Sequence, residues 1–239
     1  MDPYITADTL RNFAYVNTEI CRRPVQGILL SFFGLGNTKM LADHPAAGVS
    51  LGERGILYVH PYNDPWNWMN KQAVAITDEI LDVLFESLQL PKDLPVVSTG
   101  GSMGGLCALV YTRYARRTPV ACVANCPVCD LPYHLTERPD LPRTLYSAFY
   151  HEQGTLTEVL RSASPLHLVP EMPDVDYTLF HCTADKAVSI ERHSDRFVAA
   201  MQAAGRRITY HVIPHCGHCD LPEEARLLFH NCAVSAILK

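Results

Sequence analysis

Short apolar runs and longer amphipathic segments alternate along the 239-residue chain. Segments 25–33 (VQGILLSFF) and 55–60 (GILYVH) are nearly all apolar, which is typical of strands buried on both faces of a sheet. Between 70 and 88, apolar side chains recur at helical spacing before a proline, which indicates an amphipathic helix. The same criteria predict strands over 13–22, 25–33, 55–60, 95–99, 120–126, 177–182 and 208–213, a loop with a short helix over 37–51, and helices over 70–88, from 106 onward, over 190–204 and over 222–238.

This alternation of strands and helices predicts a mainly parallel sheet with helices on both faces. We therefore expect one α/β domain over 1–239. Segment 127–173 is a long, proline-rich connection with helical pieces over 141–150 and 155–161. A connection of that length between strands is usually functional, so it is predicted to be a lid-like insertion. Ligands of such sheets bind beyond the carboxyl ends of the strands.

Composition and charge indicate which binding partners and which cellular compartment to expect. A formal net charge of -5 gives no basis for binding nucleic acid or an anionic membrane. The first residues carry no basic and apolar signal pattern, and no apolar run is long enough to span a bilayer. Nine cysteines, an odd number, then indicate free thiols in a reducing cytoplasm. We predict a cytoplasmic protein without a cofactor, and the sequence leaves its oligomeric state open.

The most informative stretch surrounds Ser102, in Gly100-Gly101-Ser102-Met103-Gly104. A predicted strand precedes it and a predicted helix follows, which is the context of a nucleophile elbow. Glycines on either side allow the close approach of strand and helix that such a turn needs. The backbone N–H of Met103, at the helix start, is then one predicted oxyanion donor. An incidental serine in a glycine-rich turn is the alternative, and a phosphate-binding P-loop is disfavoured because its Lys-Ser/Thr pair is missing.

A serine nucleophile needs a base, and the base needs a carboxylate that orients it. Asp185 follows the predicted strand 177–182, and His218 follows the predicted strand 208–213. Both therefore lie at carboxyl ends of strands, and the order Ser, Asp, His is the one expected for this elbow. The sequence predicts His218 as base and Asp185 as acid, with His215 and Asp130 as the rival base and acid.

Two further parts of the site are predicted less directly. The turn after the strand at 25–33 should supply the second oxyanion donor, and the backbone N–H of Phe33 is our choice, with that of Phe32 as the alternative. Aromatic side chains from two loops are candidates for a substrate pocket, although each could equally pack the insertion against the body. These candidates are Trp66, Trp68, Tyr133, Tyr146 and Phe149, whereas Arg138, Arg143 and Arg161 are predicted to be surface residues.

Two Cys-x-x-Cys pairs offer a competing chemistry. They are Cys126 with Cys129 and Cys216 with Cys219, and both follow predicted strands. Four thiolates could hold zinc, or a pair could act in redox reactions. The two pairs lack the short separation of a zinc ribbon, so plain thiols and no bound metal are predicted.

Together these motifs resemble the α/β-hydrolase fold, and within it the group related to the prolyl oligopeptidase catalytic domain and to small carboxylesterases. The resemblance covers nearly all of the chain in pattern. It implies hydrolysis of an ester or amide through a covalent acyl-enzyme. It rests on the segments 100–105 (GGSMGG), 164–167 (SPLH), 181–188 (HCTADKAV) and 216–218 (CGH).

The chain also departs from these relatives. The segment 32–36 (FFGLG) replaces the His-Gly-Gly type of oxyanion loop, and we expect no β-propeller before the hydrolase part. Oligopeptidases of the group use a propeller to screen peptides, so the sequence favours a serine carboxylesterase acting on a small-molecule ester. A small-peptide hydrolase or amidase with the same triad is the first alternative, and a non-catalytic binding protein on a hydrolase scaffold is the second.

Overall fold

A computed structural model describes residues 4–37, 40–41 and 43–239 of the chain. Its centre is a seven-stranded sheet with the order β1-β3-β2-β4-β5-β6-β7. Strand β1 pairs antiparallel with β3, and the other neighbouring pairs are parallel. The strands are β1 (Ala14–Val16), β2 (Gly27–Phe32), β3 (Ile56–Pro61), β4 (Val96–Gly101), β5 (Ala121–Asn125), β6 (Asp176–Cys182) and β7 (Ile208–Ile213).

Helices occupy most of the connections between these strands, as the alternating pattern predicts. They are α1 (Ala46–Glu53), α2 (Lys71–Ser87), α3 (Met103–Tyr114), α4 (Leu131–Glu137), α5 (Leu141–Phe149), α6 (Leu156–Ser162), α7 (Pro165–Leu168), α8 (Ser194–Ala203) and α9 (Glu223–Ile237), with short 3₁₀ turns at Leu10–Asn12 and Val169–Glu171. Among the helices of the described ranges, none combines the length and apolar content needed to cross a bilayer.

Apolar residues cover both faces of the sheet, which explains the nearly continuous apolar runs in the sequence. Neighbours in β2 point to opposite sides: Ile28 and Leu30 belong to a large cluster with α2, α3 and α8, whereas Leu29 packs with α1 and α9. All three side chains are at most 3% exposed. The mainly parallel sheet with helices on both faces is the α/β-hydrolase architecture, and that prediction is confirmed.

The first predicted strand is much shorter than its pattern suggests. It covers Ala14–Val16 instead of 13–22 and lies at the edge of the sheet. The reason is the side chain of Asn17, which donates to the carbonyl of Gly48 at 2.8 Å and accepts from the N–H of Tyr58 at 2.7 Å. The side chain of Asn17 thus takes the hydrogen bonds of neighbouring backbone groups, and the β-strand pairing ends at this residue.

The insertion between β5 and β6 contains the four helices α4 to α7 and the 3₁₀ turn Val169–Glu171. It is hydrogen-bonded to the loop after β3: Trp68 Nε1 donates to Thr144 Oγ1 at 3.1 Å, and Asn70 Nδ2 donates to the carbonyl of Ala148 at 2.7 Å. Trp68 itself is fully buried. These bonds fix α5 against the loop after β3. The N-terminal part of the insertion, α4, reaches the edge of the sheet at which β4 ends.

Helix α3 packs unusually close to the strands that precede it. A Cβ atom added to Gly104 would lie 2.3 Å from the carbonyl oxygen of Phe32 and 2.7 Å from that of Phe33. A Cβ on Gly100 would lie 2.3 Å from the carbonyl oxygen of Gly104. Only glycine therefore allows the turn between β4 and α3 to sit this close to β2.

We predict that Gly104→Ala lowers the free energy of unfolding by at least about 2 kcal/mol, because the added methyl must displace backbone rather than a flexible side chain. Urea unfolding followed by circular dichroism measures the change. Gly217→Ala is the matched control, since nothing lies within 4 Å of its Cβ position. Equal stability of the two variants would contradict the close packing at this turn.

Candidate active site

Ser102 occupies the turn between β4 and α3, with φ 59° and ψ -126°. That left-handed conformation is strained for a residue other than glycine, and strain of this kind is concentrated at functional sites. The N–H of Ser102 donates to the carbonyl of Asn125 at 2.9 Å, and its own carbonyl accepts from Leu106 at 3.1 Å. The backbone is thus held from both sides while the side chain faces a cleft.

Asp185 lies in the turn after β6, and its side chain is fully buried. One carboxylate oxygen, Oδ1, accepts from the N–H groups of Ala187 at 2.8 Å and Val188 at 3.0 Å. The other, Oδ2, lies 2.6 Å from His218 Nδ1 and 3.3 Å from His181 Nε2. Burial raises the pKa of Asp185, but hydrogen bonds from His181, His218 and Val188 outweigh it, so the pKa falls well below its usual range. Asp185 is therefore a buried carboxylate that stays ionised.

His218 lies in the loop after β7, and its ring is fixed by the bond from Nδ1 to Asp185. Burial lowers the pKa of His218, but the hydrogen bond to Asp185, the neighbouring Cys126 and the charge of Asp185 together raise it by more, so the net shift is upward. With Nδ1 protonated and donating to the carboxylate, the neutral ring presents a lone pair at Nε2. That tautomer is the one a general base needs.

Ser102 and His218 line the same cleft, which has a volume of about 450 Å³. Both residues belong to the described part of the chain, and their side chains are not hydrogen-bonded to each other. The neighbour of His218 Nε2 is Cys219 Sγ, at 3.8 Å. In unliganded enzymes the hydrogen bond between a catalytic serine and its histidine is often long, and it shortens when substrate binds.

The two rival residues serve other purposes. Asp130 caps α4 by accepting from the N–H of Tyr133 at 3.2 Å, and it pairs with Arg196 at 3.0 Å. His215 is exposed, and its N–H donates to Thr183 Oγ1 at 2.9 Å. Neither residue lines the cleft that Ser102 shares with His218. The geometry therefore favours Asp185 and His218 over them.

The turn after β2 lies beside the start of α3, where both predicted oxyanion donors are found. Met103 is the first residue of α3, so its N–H has no acceptor within the helix. Phe33 follows β2, and its carbonyl oxygen faces Gly104. Gly34 and Leu35, the next residues, line the cleft. The donor roles of Met103 and Phe33 stay predictions.

The cleft contains only part of the predicted pocket. Trp68 lines it, but the other four predicted aromatic residues do not. Their places are fixed by the packing of the insertion: Trp66 faces a separate cavity and stacks with Arg143, Tyr133 stacks with Arg192, Tyr146 is 53% exposed, and Phe149 is buried beside Val74.

Helix α4 supplies cleft residues that the sequence did not identify. His134 of α4 and Arg138, the extended residue that follows the helix, both line the cleft, so Arg138 is not simply a surface residue. Glu137 holds this wall in place, because its carboxylate binds both His134 Nδ1 and, at 2.9 Å, His193 Nε2. Burial raises the pKa of Glu137, and the two histidines lower it by more, to about 2. No helical spacing in the sequence points to this pair, because α4 ends at Glu137 and Arg138 has extended backbone.

Cysteine thiols from both Cys-x-x-Cys pairs approach the site, but not as four ligands. Cys126 and Cys219 come together with His218, one donor atom of each lying within 4.8 Å of the others. Cys129 is fully buried elsewhere, against the carbonyl of Pro127. The alternative of one zinc site with four thiolates is therefore not formed by the described residues. All nine cysteines are free thiols.

We predict that Asp185→Asn lowers the pKa of the His218 imidazole, because it removes the negative charge that favours the protonated ring. NMR titration of the protein with labelled histidine measures this pKa, which should lie above 6.5 in the unmodified protein. Asp130→Asn is the control and should leave it unchanged. A His218 pKa at or below 6.5 that does not respond to Asp185→Asn would contradict the pairing.

Solved structures with the same architecture are numerous. Puromycin hydrolase is similar with a TM-score of 0.70 and 16% identity, over 90% of this chain and 34% of that one. Esterase B from Lactobacillus rhamnosis matches with a TM-score of 0.69 and 14% identity, over 91% of this chain and 78% of that one. Pyrococcus horikoshii acylaminoacyl peptidase matches with a TM-score of 0.64 and 12% identity, over 82% and 34%. At these identities the likeness establishes the fold.

The chain spans about a third of the length of the puromycin hydrolase and acylaminoacyl peptidase chains that it matches. No curated protein sequence gives a significant match. The sequence model of the prolyl oligopeptidase family, a family of serine hydrolases, matches residues 89–229. That stretch is more than half of the chain and contains the turns that carry Ser102, Asp185 and His218. The protein belongs to the prolyl oligopeptidase family.

Proposed function

We propose that this protein is a serine hydrolase that cleaves small carboxylic esters through an acyl-enzyme. The observation that carries the proposal is the His218–Asp185 pair, 2.6 Å apart, beside the cleft that contains Ser102 on a strained turn. Three loops from distant parts of the chain bring nucleophile, base and carboxylate to one edge of the sheet. Acyl transfer needs those three groups in that order of contact.

In the first half of the reaction, Ser102 Oγ attacks the carbonyl carbon of the ester while its proton moves to His218 Nε2. Asp185 stabilises the imidazolium that forms, because its ionised carboxylate lies against Nδ1. The negative charge on the carbonyl oxygen is stabilised by the backbone N–H groups of Met103 and Phe33. Collapse of the intermediate breaks the ester bond, and His218 hands its proton to the leaving alcohol.

In the second half, water attacks the acyl-enzyme and His218 takes the proton of that water. The second tetrahedral intermediate then releases the carboxylic acid, and the proton returns to Ser102 Oγ. Both halves use the same base and the same donors. The site therefore needs no metal or organic cofactor to balance the reaction.

The walls of the cleft support a small substrate. Leu35, Trp68 and Val188 are the apolar side chains of the cleft lining, and Trp68 and Val188 are buried in its wall. Arg138 lies at the same cleft, but Asp140 engages it through two bonds, at 3.1 and 2.8 Å, which neutralises its charge. A volume of about 450 Å³ lies within the range of small-molecule sites. These features favour a short, uncharged acyl group.

Hydrolysis of a small peptide or aminoacyl amide is the second candidate. It is favoured by the neighbours of similar fold, a puromycin hydrolase and an acylaminoacyl peptidase. The same triad would serve, with His218 protonating an amine instead of an alcohol. A non-catalytic binding protein on this scaffold is the remaining alternative, and labelling of the serine distinguishes it.

We predict that a fluorophosphonate probe labels the protein at Ser102, because the phosphonyl group reacts with an activated serine. Ser102→Ala should abolish both labelling and hydrolysis of p-nitrophenyl acetate, lowering kcat by at least about 10³-fold. Intact-mass spectrometry and peptide mapping measure the adduct. Ser162→Ala, which changes an exposed serine of α6, is the control and should behave as the unmodified protein. Labelling that persists in Ser102→Ala would reject the assignment.

We also predict that kcat/KM for p-nitrophenyl butyrate exceeds that for alanyl p-nitroanilide by at least about 100-fold. Both substrates are followed by release of the chromophore, and Ser102→Ala gives the background for each. The expected order follows from an apolar cleft without an unpaired acidic group to bind the ammonium of an aminoacyl substrate. If the anilide is hydrolysed as efficiently as the ester, the result would contradict ester specificity and favour the amidase instead.

A further inference from the structure

Two thiols lie beside the imidazole of His218 at the cleft. Cys126 is buried directly after β5, and Cys219 follows His218 in the loop after β7. One donor atom from each of the three residues lies within 4.8 Å of the other two. Neither thiol has a role in acyl transfer, so this cluster is unexplained by the proposed reaction.

The spacing of these donors is that of a tetrahedral metal site. A zinc ion with Zn–S bonds of about 2.3 Å and Zn–N bonds of about 2.0 Å separates a sulfur from a nitrogen ligand by about 3.6 Å. The distance from Cys219 Sγ to His218 Nε2 is 3.8 Å. Two sulfur ligands would be separated by about 3.8 Å. Cys126 Sγ lies within 4.8 Å of the donor atoms of His218 and Cys219, so a side-chain movement of about 1 Å would bring all three atoms to ligand spacing.

The surroundings of the three ligands fit a metal site as well. His218 Nδ1 is bonded to the carboxylate of Asp185, an arrangement that metal-bound histidines usually show because it fixes the ring and its free lone pair. The N–H of Cys219 donates to Cys126 Sγ at 3.4 Å, and Asn125 Nδ2 donates to the carbonyl of Cys219 at 3.3 Å. These bonds hold the two thiols on the same side of His218.

The fourth position of such a site is open. His218, Cys219 and Ser102 all line the cleft. Zinc sites with three protein ligands keep their fourth position for water or a substrate group. An ion can therefore enter from solvent without unfolding the loop.

We propose that Cys126, His218 and Cys219 form a reversible Zn²⁺ site that blocks hydrolysis when it is occupied. The ion binds the lone pair at His218 Nε2 and the two sulfurs; both thiols, and the His218 ring when it is protonated, lose a proton to solvent, and no oxidation state changes. The inhibitory part rests on the proposed function, because the same lone pair is the general base. Binding of the metal does not depend on it.

The test uses Cd²⁺, a soft ion whose bonds to thiolates give an ultraviolet charge-transfer absorption, added to the full chain carrying Ser102→Ala. We expect one equivalent to bind, and Zn²⁺ to displace it. Cys126→Ser and Cys219→Ser, each in that background, should raise the apparent Kd by at least tenfold. Cys232→Ser, which removes a partly exposed thiol of α9, is the control and should leave the Kd unchanged.

A second measurement uses the protein with Ser102 intact. Zn²⁺ should suppress fluorophosphonate labelling, a chelator should restore it, and Cys219→Ser should weaken the suppression by at least tenfold. Equal Cd²⁺ affinity in Cys219→Ser, or the absence of a thiolate band, would overturn the metal site. If Cys126→Ser fails to fold by circular dichroism, Cys219→Ser decides alone. Cadmium binding without any labelling of Ser102 would support the metal site and reject the hydrolase.

Discussion

The site depends on the hydrogen bonds that surround the buried carboxylate of Asp185. Its two oxygens accept from two backbone N–H groups and lie against two histidine rings, so a negative charge is held away from solvent without an unsatisfied lone pair. Removing one partner of a buried charge typically costs about 3–5 kcal/mol, which explains why this turn needs so many donors. The same charge determines the tautomer of His218, and thereby which nitrogen faces the cleft.

The geometry of the sheet makes this arrangement possible. Ser102, Asp185 and His218 follow β4, β6 and β7, and β5 separates the first strand from the other two. The strands are parallel, so their carboxyl ends share one edge, and long stretches of chain can contribute to a single cleft. Helix α3 then lies close against β2 because Gly104 has no side chain, and its free N–H groups come to the same edge. The parallel direction of the strands therefore determines both the fold and the position of the site.

The sequence predicted the mainly parallel sheet correctly because strands depend on local pattern, and its proposals for the insertion and the three central residues rest on local pattern as well. Apolar runs identify β2 and β3, and position after a strand identifies Asp185 and His218. It did not predict the cleft walls, since these depend on which face of α4 meets the sheet. Arg138 and His134 line the cleft, whereas Tyr133 stacks on Arg192 instead. The edge strand β1 also ended early, because the side chain of Asn17 replaced ladder bonds that no hydrophobic pattern reports.

Sulfur atoms give the base an unusual environment. The loop after β7 places Cys219 Sγ 3.8 Å from His218 Nε2, the nitrogen that the proposed reaction uses as base. The two Cys-x-x-Cys pairs could have supplied four ligands, although their separation spoke against it, and the fold brings one thiol of each pair to His218. A crystal structure of the protein after reaction with a fluorophosphonate tests the central claim most directly. The account predicts phosphorus on Ser102 Oγ, His218 Nε2 within hydrogen-bond distance of that oxygen, and a phosphonyl oxygen accepting from the N–H of Met103. Phosphorus on another residue, or His218 turned away from modified Ser102, would contradict it.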